Sequence, residues 1–421
     1  MLWESCFSNS GYSKFIFWTT VPTLTTVLAV PLAVCCKWLL LGKVKPGMHS
    51  SFSWKIREFF VNYQFRVLIY LAYRILDDYT YCSVLLLKAY GAQMATSTIF
   101  VPLRSARPAA FDLLSSGRGS FVSNATLQHA TMGSHEYQEI KIENHAQVSL
   151  RAVVGAGAHI HSGSSVGPCT FLPVGQVLES GASYVSGTKL HIASNTPDTS
   201  LRSEKPFWQV CILAIVGGVF PKVVLFSVYI VCLVPSYEFA NWLLFNSGIA
   251  RWISIPLLSL SILMAFVTLA ILGVLTTRLI LGFGHSEDGY SCGMGGYTVT
   301  QMMAYGGFQD LLLPSFHGTA LMRWLCRTMG AQVGENAYIA SHRILEHHML
   351  RFGNDCIVDE GAYVMAHILV NGTLRIKPVQ VSDRSTLHAH SLAMCGSIAE
   401  GEVLPRTYLP ERIRDVETSF I

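Results

Sequence analysis

Two histidines are placed where they could act as bases. His129 and His367 fall in corresponding positions of the two halves of the chain, each in a stretch less regular than its flanks. Transfer of an acyl group to an amine or hydroxyl needs a group that takes the proton as the nucleophile attacks, and imidazole does this near neutral pH. Both are therefore candidate catalytic bases. The structural alternative is a solvated loop residue, or one stacked in a chain corner. Arg351, Asp355, Asp359 and Glu360 surround His367 in sequence and offer an acid to orient it, whereas His129 has only Asp112 before it. The second half is thus expected to be the more active. Backbone amides at chain corners are the expected holders of a developing oxyanion.

Other constellations are weaker. His159-x-His161 and His388-x-His390 each put two imidazoles on one side of an extended strand. Zinc takes three or four ligands, and the two pairs lie 229 residues apart (388−159), short of the repeat described below. Glu346-His347-His348 is no stronger. No metal site and no bound cofactor are expected. The chain has no GxGxxG opening a helix and no GxxxxGK[ST], so a phosphate loop is excluded. Its 11 cysteines are single apart from Cys35-Cys36, with no CxxC. They read as buried small hydrophobes, neither zinc ligands nor a disulfide framework. Lys and Arg are scattered at a net charge of +4, which gives no nucleic-acid patch.

The elements that must position these groups show in the aliphatic spacing. Ile142, Val148, Val154, Ile160 and Val166 recur every six residues, followed by Leu172, Leu178 and Tyr184. A helix repeats near 3.6 and a strand near 2, so a period of six fits neither. It fits short flat strands joined at corners, each turning one aliphatic inward, with Gly155 and Gly167 at corners. This pattern resembles the hexapeptide-repeat left-handed β-helix of acyltransferases. In the second half Val333, Ile339 and Leu345 begin a like series. Phe352, Val358, Val364, Val370 and Ile376 continue it in a new register, followed by Val381, Leu387 and Ala393.

The chain is 51% hydrophobic and only 13% charged, too apolar for an ordinary soluble protein. Phe15 to Cys36 is uncharged and long enough to span a bilayer, and longer than a signal core. Phe207 to Val234 is apolar except for Lys222, and Trp252 to Thr277 has no charge. If the Lys222 segment spans, the two runs form a hairpin; if it re-enters beside Pro221, the folded halves lie on opposite faces. Spanning is the reading adopted. A transporter-like use of Lys222 is set aside because three spans are too few. Trp54 to Tyr90 reads as a helix lying on the membrane or packed on the folded part. Lys37, Lys43 and Lys45 follow the first span, which places the folded halves on the cytoplasmic side.

The expected organisation is a leader (1–14), a transmembrane helix (15–41) and a membrane-proximal helical segment (42–90). A first β-helix domain (91–191) and a linker (192–206) follow. A transmembrane hairpin (207–283), a second membrane-proximal segment (284–329), a second β-helix domain (330–409) and a charged tail (410–421) complete it. The expected fold class is a membrane protein with transmembrane α-helices and two tandem left-handed parallel β-helix domains.

The halves read as copies. Leu39-Leu40-Leu41-Gly42 matches Leu279-Ile280-Leu281-Gly282, 240 residues on (282−42), and Tyr90-Gly91-Ala92-Gln93 matches Met329-Gly330-Ala331-Gln332, 239 on (330−91). Leu127-Gln128-His129 pairs with Met365-Ala366-His367 at 238 (367−129), and Ile140-Lys141-Ile142 with Val379-Gln380-Val381 at 239 (379−140). On the runs 39 to 47 and 329 to 334, the neighbourhoods of His129 and His367, and Ser391 to Gly396, the chain resembles the C-terminal membrane region of non-ribosomal peptide synthetases of the poly-lysine synthetase type, over residues 15 to 409. The resemblance implies amide-bond formation from an activated aminoacyl or acyl group. Acyl-CoA or a phosphopantetheinyl thioester would be the donor, and membrane lipid the surroundings. The chain shows no adenylation or carrier domain, so an adenylating or carrier partner is implied. The alternative is a non-catalytic membrane scaffold or accessory subunit that docks partners. The oligomeric state and the substrate are not encoded in these runs.

Overall fold

The structure, a computed structural model, describes residues 28–76, 80–101, 108–123, 125–130, 136–185, 188–191, 206–219, 235–246, 251–281, 289–293, 313–370, 373–404 and 407–409. The leader, the start of the first expected span, most of the linker, Lys222 and the tail lie outside these residues. The chain divides into two compact units, one within Val21–Lys222 and the other within Val223–Ile421.

The N-terminal unit stacks short parallel strands into three sheets. Consecutive strands enter the sheets in rotation. Val153 pairs with Phe171, His159 with Val177 and Ser165 with Ser183, so each strand lies beside the one 18 residues on (171−153). Strands of two or three residues arise because every sixth residue must turn inward and a corner follows at once. Ile142, Val148, Val154, Ile160, Val166, Leu172 and Leu178 fill the interior and are buried. Removing such side chains from water contributes about 1.5–3 kcal/mol each. Corner backbones take positive φ, as at Gly157 (φ +73) and Gly163 (φ +72).

Helices close one end of this stack. Val61 and Phe65 of the helix Phe52–Leu76 are buried, and Phe65 packs edge-on against Tyr90 and Phe111 at 5.2 and 5.8 Å. Its other side exposes Phe52, Ile56, Phe59, Phe60 and Tyr63. The helix Thr80–Ala89 ends on Gly91.

The C-terminal unit carries three four-stranded parallel sheets and one three-stranded antiparallel sheet. Phe352, Val358, Val364, Ile376, Val381, Leu387 and Ala393 are buried within it. At the first corner the inward residue is Ile344, which pairs with Val364, and Leu345 is only half-buried.

The expected fold class is corrected by these observations. Among the described residues one helix is long and apolar enough to cross a membrane: Leu257–Leu279, 23 residues with a mean hydropathy of 2.5. Leu28–Leu40 and Phe207–Val216 are shorter apolar helices among the described residues. The architecture is mixed α/β with mostly parallel sheets of short strands. Neither a multi-span membrane class nor a left-handed β-helix is established. A six-residue spacing encodes short strands and corners but carries no handedness.

Candidate functional site

His367 opens a hairpin that leaves the strand stack. The strand His367–Val370 pairs antiparallel with Thr373–Ile376, which pairs in turn with Tyr290–Gly293. Its ring is about one-fifth exposed, and Nδ1 lies 2.9 Å from Oε1 of Glu346, whose side chain is fully buried. The other oxygen, Oε2, accepts the Ala366 amide at 2.9 Å. The carboxylate is thus pinned by a backbone N–H and presents its second oxygen to the imidazole. A carboxylate at Nδ1 selects the Nδ1–H tautomer, which leaves the lone pair on Nε2 and stabilises the ring once it is protonated.

The fold places Glu346 there through strand register. Ile344–Leu345 pairs with Val364–Met365 one layer on, so the corner after Leu345 lies beside the corner after Met365. Glu346 takes φ +51 and ψ +53, a left-handed conformation that costs a residue with a Cβ about 1–2 kcal/mol. The next two residues, His347 and His348, are buried. Burial drives the His347 imidazole down to a pKa of about 3; Glu346 opposes this and His348 adds to it. His347 is therefore neutral near physiological pH. Arg343 lies over the Tyr363 ring at 4.7 Å and donates to its hydroxyl.

The acids expected around His367 do other work. Asp355 accepts from Asn336 at 3.2 Å, and Asp359 stands 4.0 Å from Nδ1 of His388. Arg351 lines an open groove of about 750 Å³ with Gln332, Phe352, Gln380 and Asp383, and His367 is not part of it. Glu346, which the sequence offered only beside the adjoining histidines, is the acid that reaches His367. The signal was its place one layer back, 21 residues earlier.

His129 is not the counterpart of His367. It is buried, 1% exposed. The inward strand residues Leu127 and Val364 correspond, since Leu127 pairs with Val154 and Val364 with Ala393. That sets an offset of 237 (364−127), and the hydrogen bonds agree. The His129 carbonyl accepts from Gln138 and the Ala366 carbonyl from Lys377. His129 therefore matches Ala366, and Ala130 matches His367. A slip of one residue in a strand moves a side chain to the opposite face. The corner that carries Glu346 matches Ala110: each stands four residues before the strand leucine, Leu114 or Leu350, that pairs with Ile140 or Val379. Asp112, expected near His129, instead forms a buried ion pair with Lys37 at 2.7 Å and accepts the Val44 amide at 3.1 Å.

A third group lies in the N-terminal unit. His159 Nε2 is 2.8 Å and His161 Nδ1 is 3.0 Å from Oε1 of Glu143. Oε2 of Glu143 accepts from the Ser162 amide at 3.0 Å and the Ser162 hydroxyl at 2.9 Å. Partial burial alone would raise the Glu143 carboxyl; Ser162, His159 and His161 more than offset it and hold it below the usual range. His388 and His390 make no such group: His390 sits at a corner with φ +63.

No family model, no curated protein and no solved structure matches the chain. The functional reading therefore rests on the geometry above.

Proposed function

We propose that the protein is a membrane-bound, acyltransferase-like enzyme that forms amide bonds from an activated aminoacyl or acyl thioester. The observation that carries this is the His367–Glu346 pair, a partly exposed imidazole held at 2.9 Å by a buried, backbone-pinned carboxylate. In the reaction, the acceptor amine attacks the thioester carbonyl while His367 Nε2 takes its proton. The C–N bond forms as the C–S bond breaks, and the imidazolium returns the proton to the leaving thiolate. Glu346 positions the ring and offsets its positive charge, without touching the substrate. A positioned base of this kind contributes about 10²–10⁴-fold.

The helix Leu257–Leu279 supports an integral membrane setting, with Ile262, Leu263, Val267 and Ile271 exposed along it. The exposed stripe from Phe52 to Tyr63 suits a lipid surface. Lys43 and Lys45 are exposed and favour a cytoplasmic face for the folded units; Lys37, tied to Asp112, does not count. The thioester donor is acyl-CoA or a phosphopantetheinyl group from a separate adenylating or carrier partner.

A second reading applies to the N-terminal unit. With Ala110 in place of the acid and His129 buried, it lacks the pair, and a docking role for a carrier partner fits it better than catalysis.

The test uses the full chain in lipid nanodiscs, given acyl-CoA and carrier-bound aminoacyl thioesters with amine acceptors, and mass spectrometry of the products. Amide formation that His367→Gln removes while the unfolding transition stays in place is expected. Product formed equally well by that variant would overturn the assignment.

A further inference from the structure

The cluster Glu143, His159 and His161 has no part in the reading above. His159 and His161 flank the inward Ile160 and so project outward together. The neighbouring strand Ile140–Ile142 runs parallel in register, Ile142 beside Ile160, and delivers Glu143 next to His161. The two imidazole rings lie 4.0 Å apart, centre to centre. We propose that these three residues bind a divalent transition-metal ion, Zn²⁺ by preference, and leave one coordination position open to water or a ligand.

Several observations carry this. The donor atoms of the three side chains all lie within 4.8 Å of one another. Ligand atoms around a tetrahedral zinc at about 2.0–2.2 Å are about 3.3–3.6 Å apart, so small side-chain rotations open the cluster around an ion. Two imidazoles and one carboxylate form a ligand set that zinc takes in sites keeping a fourth position for solvent. Each side chain is about one-third exposed, so an ion has a path in and the fourth position faces solvent. Ser162 already holds the carboxylate oxygen that faces away from the histidines, the outer-shell support that orients a metal-binding carboxylate. Lys141, the strand neighbour of His159, is paired with Glu139 at 3.4 Å, which offsets its charge. The donor set also excludes Mg²⁺ and Ca²⁺ as preferred ions, since these take oxygen ligands.

The experiment strips the full-length protein in detergent with a chelator and titrates it with Co²⁺, then displaces Co²⁺ with Zn²⁺. One Co²⁺ with visible tetrahedral bands and no thiolate charge-transfer band is expected, displaced by Zn²⁺ and not by Mg²⁺. His161→Gln and Glu143→Gln should each abolish these bands, and His388→Gln should leave them intact. Ser162→Ala should weaken binding about 10-fold. Glu143→Gln keeps the Ser162 hydrogen bonds and the fold, so it decides the matter even if a histidine variant unfolds. Bands that persist in Glu143→Gln, a thiolate band, or no binding at all would overturn the site.

Discussion

In both units a helix ends on the same glycine corner. Gly91 takes φ +110 and Gly330 φ +111. Gly91 donates to the Lys88 carbonyl and Ala92 to that of Leu87; Gly330 and Ala331 donate to Arg327 and Cys326 in the same pattern. A side chain from the apolar helix caps each: Trp38 donates to the Ala89 carbonyl, and Arg278 to that of Thr328. What faces the glycine differs. Gly91 lies against Asp112 and Lys37; Gly330 lies against His348. The N-terminal unit spends its acid on a buried ion pair. The C-terminal unit carries its acid two positions earlier, at Glu346, where it reaches the hairpin histidine. The same framework thus seals its charges in a buried ion pair in one unit and presents a carboxylate to a partly exposed histidine in the other, through the residues at four positions: Ala110, Asp112, His129 and Ala130 against Glu346, His348, Ala366 and His367.

The largest effect that would break this contrast is catalytic. His367→Gln should lower amide formation about 10³-fold, and Glu346→Gln about 10-fold or more through misorientation of the ring. His129→Gln should change it by less than about 2-fold, because that ring is sealed inside the stack. Equal losses at His129 and His367, measured as turnover in nanodiscs, would restore the two as equivalent bases.

Next in size is the ion pair. Lys37→Met strands a buried carboxylate beside the Val44 amide alone, a change that costs about 3–5 kcal/mol, most of it regained by Lys37→Met with Asp112→Leu. The corresponding C-terminal residue, Thr277, carries no charge and donates to its own helix carbonyl at Gly273, so Thr277→Val should cost about 1 kcal/mol. Hydrogen exchange followed by mass spectrometry reads each unit separately.

How far the sequence revealed this can be judged residue by residue. The inward column from Ile142 to Leu178 was legible because a short strand with one buried face allows only one register. Leu345 was misread for Ile344 because the step from Ile339 to Ile344 is one residue short of six (344−339=5). His367 was singled out in the sequence, yet the carboxylate that reaches it was not. Glu346 is a neighbour only across a layer, by a pairing that local spacing does not disclose. Equating His129 with His367 failed for a related reason. The offset is 237 at Leu127 (364−127) but 239 at Ile140 (379−140), because the C-terminal hairpin is two residues longer. An intermediate offset of 238 hid the slip. Glu143 was overlooked as a ligand since it lies 16 and 18 residues before the histidines (159−143, 161−143), a separation that brings residues together only once strands stack.

Acid should separate the units as well. His347 is buried and neutral, with its pKa driven down to about 3. The unfolded chain takes up a proton there once the pH falls below about 6.5, while the native unit does so only near 3. Stability of the C-terminal unit is therefore whole above pH 6.5. Below it, this one group lowers stability progressively until the folded pKa is reached. The matching residue in the N-terminal unit is Phe111, also fully buried, which cannot titrate. Exchange protection between pH 6.5 and 4 should fall more steeply in the C-terminal unit, and His347→Phe should remove the difference in slope. Parallel decline in both units would show that the buried imidazole is not its source.

The smallest effect sharpens the comparison at the glycines themselves. Both have a backbone conformation that a residue with a Cβ rarely takes, so alanine costs about 1–2 kcal/mol at either from that cause alone. Surroundings then set them apart. At Gly330 the added methyl would meet the backbone and Cβ of His348 at 3.3 Å, a contact that a shift of a few tenths of an ångström relieves. At Gly91 it would overlap the Asp112 carboxylate and press on the Lys37 ammonium, so it must loosen the ion pair to fit. Gly91→Ala should therefore lose more stability than Gly330→Ala. In a Lys37→Met/Asp112→Leu background the extra loss should change, whereas the Gly330→Ala cost should not. An extra loss at Gly91 that is unaltered by removing the ion pair would place its origin in the backbone, and would leave the two corners energetically alike.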